Sequence, residues 1–107
     1  MAQELVLSQL GPGRVVVFVK PTCPYCRRAR DLLLRYRFKP AGLRFVDITA
    51  HPHPDALQDY LLRLTGARTV PRVFIGTRCI GGCSELTSLD QSGELLPQLQ
   101  QIGALQE

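Results

Sequence analysis

The chain is 107 residues long, 45% hydrophobic and 21% charged, with four cysteines and a formal net charge of +4. That is the size of one domain able to bury an ordinary core, which removes the need for a disulfide-built or metal-built scaffold. Glu4 interrupts the opening and the longest apolar run near it is only Val15 to Val19, so neither a signal peptide nor a membrane span is expected, and a reducing cytoplasmic setting is.

The first predicted element is a short amphipathic helix over residues 3–10, broken by Gly11-Pro12-Gly13. VVVFV, Val15 to Val19, is a continuous β-branched run of the kind a strand buried on both faces shows. A helix follows from Pro24, because Ala29, Leu32, Leu33 and Tyr36 recur at helical spacing. Residues 43–48, LRFVDI, read as the next strand. Leu57, Tyr60, Leu61 and Leu64 form another helical stripe, which Gly66 ends.

Residues 72–76 and 77–80 read as two short strands turning at Gly76-Thr77. Gly81-Gly82 then precedes a helix carrying Leu86 and Leu89. A last helix carries Leu95, Leu96, Leu99 and Ile102, with Pro97, which lacks an amide donor, either in its first turn or delaying its start. One βαβ crossover followed by a hairpin predicts an α/β fold, a four-stranded mixed sheet with helices on both faces.

KPTCPYCRRAR, residues 20–30, carries Cys23 and Cys26 between the first strand and its helix. Pro24 suits the first helical position, which makes Cys23 the N-cap or a residue close to it. There a sulfur meets unpaired amide donors and the positive end of the helix dipole, and Lys20 and Arg27 add charge. Such surroundings can bring a thiol from about 8.5 to roughly 3.5–7.5. Cys26 lies in the same turn with its sulfur largely buried, so Cys23 attacks and Cys26 resolves. The competing reading is zinc, with Cys79 and Cys83 completing four thiolates, although that second pair is distant and oddly spaced. Without zinc, Cys79 and Cys83 are partly buried free thiols, and His51 and His53 are surface residues among prolines. Arg27, Arg28, Arg30, Arg35, Arg37, Lys39 and Arg44 share one stretch with a single acid, Asp31. No interleaved aromatics accompany them, so they read as a solvated face rather than a nucleic-acid site.

CPYC after a strand, then TVP at residues 69–71 and GGCS at residues 81–84, form a pattern that resembles the dithiol glutaredoxins, or thioltransferases, of the thioredoxin superfamily. The likeness extends through FVDITA, LTGARTVPRVFIG and QIGALQ, and is greatest to the cytosolic vertebrate members. It implies a single glutaredoxin domain over residues 1–107 with a thioredoxin-like fold, its sheet flanked by about five helices. It also implies glutathione-dependent reduction of protein–glutathione mixed disulfides and small disulfides through Cys23 and Cys26. Glutathione is then the reducing co-substrate, with no metal. Glutathione reductase recycles the oxidised product, ribonucleotide reductase is an electron acceptor, and the protein is a monomer that binds neither membrane nor nucleic acid.

For glutathione itself, the resemblance places Lys20, Gln58 and Arg68 on the glycyl carboxylate. Gly82, Cys83 and Ser84 hold the γ-glutamyl carboxylate at a helix N-terminus. Thr69, Val70 and Pro71 present Val70's backbone to the cysteinyl part, and Tyr25 forms a wall. Val70-Pro71 is expected to be a cis peptide facing the reactive cysteine. Where members of the family often carry Asp after the serine, this chain has Glu85. Two other readings are a thioredoxin-like reductase served by a flavoenzyme, and an iron–sulfur carrier bridged through Cys23 and glutathione. GGCS and Lys20 oppose the first, and Pro24 opposes the second.

Overall fold

In the computed structural model, which describes residues 2–106, helix α1 (Ala2–Gln9) is followed by strand β1 (Val15–Val19) and helix α2 (Pro24–Leu33). Strand β2 (Leu43–Asp47), a 3-10 turn (Ile48–Ala50) and helix α3 (Pro54–Thr65) come next. The hairpin of β3 (Arg72–Ile75) and β4 (Arg78–Gly81) leads into α4 (Cys83–Gln91) and α5 (Leu95–Gln101). The sheet order is β2-β1-β3-β4, with β1 parallel to β2 and antiparallel to β3. The expected mixed sheet with helices on both faces is therefore what forms.

The apolar run of β1 divides by strand alternation. Val15 and Val17 face a core shared with Ala29 and Leu33 of α2, Leu86 of α4 and Leu95 and Leu99 of α5. Val16 and Phe18 face the opposite core, made with Val6 of α1, Leu57 and Leu61 of α3, and Phe74. Phe18 and Phe74 meet edge to face, with ring centroids 5.7 Å apart. Each such fully buried Val, Leu or Phe stabilises the fold by about 1.5–3 kcal/mol. Two cores clamp β1 from both sides. Its carboxyl end, where Cys23 follows, is held accordingly.

Several boundaries differ from the sequence reading. β2 stops at Asp47 because the Asp47 carboxylate accepts from the Thr49 N–H at 2.8 Å and caps the 3-10 turn. Ile48 thus leaves the strand for the core. Thr77 lies in the hairpin turn rather than in β4, and Gly76 closes that turn at φ 66°. Tyr36 falls beyond the end of α2 and packs half-buried on the core from the turn. Leu64 and Leu96 face solvent, so the stripes of α3 and α5 are narrower than their leucines suggest. Gly66 ends α3 in the left-handed region at φ 87°, and Pro97 sits in the first turn of α5, both as expected. The seven basic residues from Arg27 to Arg44 are all exposed, and no helix among the described residues is long and apolar enough to cross a membrane.

Candidate active site

Cys23 caps α2. Its backbone is extended (φ −90°, ψ 116°), Pro24 opens the helix, and the first turn holds no acid. The Cys23 Sγ accepts from the Cys26 N–H at 3.3 Å and, as a thiol, donates to the Val70 carbonyl at 3.7 Å. Partial burial pushes the Cys23 pKa up, but the Cys26 thiol, the N–H groups of Cys26 and Tyr25, and the Arg27 charge together hold it below the ordinary thiol value. Cys26 is the reverse. It is only 4% exposed, and burial pushes its thiol up to about 12, with the Cys23 and Cys83 sulfurs adding to the rise against the Lys20 backbone. All four cysteines are free thiols.

The Val70-Pro71 peptide is cis, as expected. Val70 and Pro71 form one wall of a cleft of about 430 Å³ beside Cys23. Tyr25 and Thr69 complete that side, and Gly82, Cys83, Ser84 and Glu85 at the opening of α4 form the other. Neither Cys23 nor Cys26 lines this cleft itself; Val70, whose carbonyl accepts from the Cys23 thiol, joins the cleft to Cys23. Glu85 turns back on its own helix start: Oε1 accepts from the Gly82 N–H at 2.6 Å and Oε2 from the Ser84 hydroxyl at 2.8 Å. Those two bonds, the Gly82 one foremost, hold its carboxyl below the usual range.

Of the ten residues expected on glutathione, seven line this cleft: Tyr25, Thr69, Val70, Pro71, Gly82, Cys83 and Ser84. The other three do not. Lys20 borders a smaller hollow of about 190 Å³ with Cys26, Arg27 and Arg30. Gln58 is buried, and its amide donates to the Arg68 carbonyl at 3.0 Å, fixing the approach to Thr69. Arg68 is exposed and pairs with Asp59 at 3.1 Å. Lys20 meets Cys23 through its backbone, its carbonyl accepting from the Cys23 N–H at 3.2 Å, while the side-chain charge acting on the sulfur is Arg27's.

Sequence reasoning missed Arg72, which lines the cleft from β3 although its side chain is nearly enclosed. A charged residue opening the apolar strand RVFI was the available signal. Among the described residues no three His, Cys, Asp or Glu side chains gather as a metal site requires. His51 is half-buried and its Nδ1 accepts from the His53 N–H at 2.9 Å.

Two sulfurs of such unequal acidity, neighbours in one helical turn, can pass a disulfide to and from a third sulfur, which puts the chain among the thiol–disulfide oxidoreductases of thioredoxin-like fold. The family model that matches, over residues 15–80, is Glutaredoxin. The chain is 66% identical to Glutaredoxin-1 of Homo sapiens over 106 residues, covering 99% of this chain and 100% of that one. It is 50% identical to Glutaredoxin-1 of Gallus gallus, covering 98% and 99%. Among solved structures it is similar to a buckwheat glutaredoxin–glutathione complex, at TM-score 0.90 and 34% identity over 99% of this chain and 94% of that one. The chain belongs to the glutaredoxin family and is a glutathione-dependent thiol–disulfide oxidoreductase.

Proposed function

We propose that Cys23 is the attacking thiolate and Cys26 the resolving thiol in the reduction of protein–glutathione mixed disulfides. The observation that carries this is the opposed acidity of the pair, one sulfur lowered and half-exposed at a helix start, the other raised and buried. The Cys23 thiolate attacks the glutathionyl sulfur, the substrate disulfide breaks, and the protein thiolate leaves and takes a proton from water. A second glutathione thiolate then attacks the Cys23–glutathione bond and restores Cys23, leaving glutathione disulfide. For small or protein disulfides Cys26 displaces the leaving sulfur and closes a Cys23–Cys26 bridge, which two glutathiones reduce.

In this reading glutathione lies in the cleft with its γ-glutamyl carboxylate on the amides of Cys83 and Ser84 and its cysteinyl backbone against Val70, beside Thr69, Pro71 and Tyr25. Lys20, Gln58 and Arg68 serve the glycyl end, which requires the Arg68–Asp59 pair to open. Both are exposed, so that costs about 1 kcal/mol or less. The protein works as a single-domain monomer in the cytoplasm, glutathione reductase regenerates its reductant, and ribonucleotide reductase is one acceptor for the dithiol. The direct test is reduction of a glutathionylated peptide, coupled to NADPH oxidation by glutathione reductase. Turnover sustained by thioredoxin reductase but not by glutathione would overturn the reading.

A further inference from the structure

Strand β3 opens on a charge. Arg72 follows Pro71 directly and pairs across the sheet with Phe18, yet it is only 8% exposed. Its Nε is buried without a hydrogen-bond partner, and the ion pairs among the described residues do not include it. The guanidinium reaches the residue before α4: a Cβ added to Gly82 would meet Arg72 Nη2 at 3.0 Å and the Pro71 carbonyl at 3.2 Å. Glycine at this position is what lets a cation lie so close behind the first amides of α4.

A cation withdrawn from water is strongly unfavourable unless an anion answers it. Glu85 is the acid whose charge is felt there, but its two oxygens already accept from Gly82 and Ser84, and it makes no ion pair with Arg72. The cleft wall therefore joins a guanidinium with no direct ion pair among the described residues to a helix N-terminus, in a hollow that both line with Tyr25 and Val70.

We propose that Arg72 supplies the positive charge by which the cleft selects the γ-glutamyl carboxylate of glutathione. This rests on the reading that glutathione occupies the cleft. The γ-glutamyl end carries a carboxylate and an ammonium side by side, and Arg72 and Glu85 present the complementary pair of charges. A cysteinylglycine disulfide keeps the reacting sulfur and the glycyl carboxylate but offers no carboxylate at this end. Arg72 should be indifferent to it.

The test uses prereduced protein in single turnover, measuring release of a fluorescent peptide thiol from its mixed disulfide with glutathione and, separately, with cysteinylglycine. Wild type should favour the glutathionyl substrate. Arg72→Gln should lose about tenfold on it, as expected for one charge-assisted contact, and change little on the cysteinylglycyl one. Arg72→Lys should keep the preference, which a merely structural role does not explain. Arg72→Met, which keeps the apolar stem, gives the same reading if the glutamine chain does not fold. Equal losses on both substrates, or an unchanged preference in a variant that has lost the charge, would overturn the assignment while leaving glutathione in the cleft. A wild type with no preference would overturn both.

Discussion

The Cys23 sulfur lies 3.7 Å from the carbonyl oxygen of Val70, a residue 47 positions further along the chain. The contact joins the start of α2 to the loop before β3, and it exists only while Cys23 is a thiol. On ionisation the sulfur keeps its donors from α2 and gives up its bond to Val70. In the proposed complex, the carbonyl is then free to accept from the cysteinyl N–H of glutathione. Ionising the nucleophile and opening the peptide edge are, in this arrangement, one event.

The first prediction separates the two sulfurs. Cys23→Ser should reduce turnover of every disulfide to the uncatalysed rate. Cys26→Ser should retain most of its activity on glutathionylated peptide, because glutathione itself completes that cycle, and should lose reduction of protein disulfides that need the internal bridge. Coupled NADPH assays on both substrates read this directly. An inactive Cys26→Ser protein on the glutathionylated peptide would reject the division of roles.

The second concerns acidity. Iodoacetamide should alkylate Cys23 with a midpoint below the ordinary thiol value, with Cys26 inert until near pH 12. Arg27→Gln should move the Cys23 titration upward, since its guanidinium is the side-chain charge acting on that sulfur. Lys20→Gln should act mainly on the KM for glutathione. A larger Cys23 shift from Lys20→Gln than from Arg27→Gln would reverse this ranking.

The elements around the cysteines were legible because their signals are local. A β-branched run, proline at a helix start and glycine at a helix end each dictate backbone geometry without tertiary help. The 3-10 turn was less visible, since Ile48 could have continued β2 and was diverted by the bond of the Asp47 carboxylate to Thr49. Leu64 and Leu96 misled because a stripe of leucines does not say how wide a face the neighbouring layer covers. Tyr25, Val70 and Ser84 were placed by family resemblance and do line one cleft. Arg72 was not, since burial of a charge depends on a gap at Gly82 that only the folded hairpin creates.

The third prediction uses two glycines in the left-handed region. Gly81 (φ 115°) has no room for a side chain, because a Cβ would meet Glu85 Oε1 at 2.5 Å. Gly93 (φ 79°) has nothing within 4 Å. Gly93→Ala should cost about 1–2 kcal/mol from backbone conformation alone and leave the KM for glutathione unchanged. Gly81→Ala should add displacement of Glu85 to about the same backbone cost, and raise that KM. Urea denaturation beside steady-state kinetics tests it, and equal effects of the two substitutions on KM would sink it.

The last prediction is a stability profile in alkali. The Tyr36 hydroxyl donates to Asp90, which also holds Arg35 at 3.0 Å, tying the turn after α2 to the end of α4. Burial first, then the bond to Asp90, pushes the Tyr36 phenol up to about 12 from 10.0, and burial pushes Cys26 up to about 12 from 9.0. A raised folded pKa means that the unfolded chain releases its proton first. Both groups therefore contribute fully below their unfolded values, and their contribution is lost as pH rises from 9 toward 12. Cys23 acts with the opposite sign, its depressed pKa adding stability above the ordinary thiol value and losing it as pH falls through the folded one. Urea midpoints taken across this range should fall steeply for wild type, less steeply for Cys26→Ser from pH 9, and less steeply for Tyr36→Phe only from pH 10. Tyr36→Phe should also lose about 1.5–3 kcal/mol at neutral pH, as expected for a bond to a charged acceptor. Alkaline limbs parallel to that of wild type in both variants would show that neither buried proton is held in the fold.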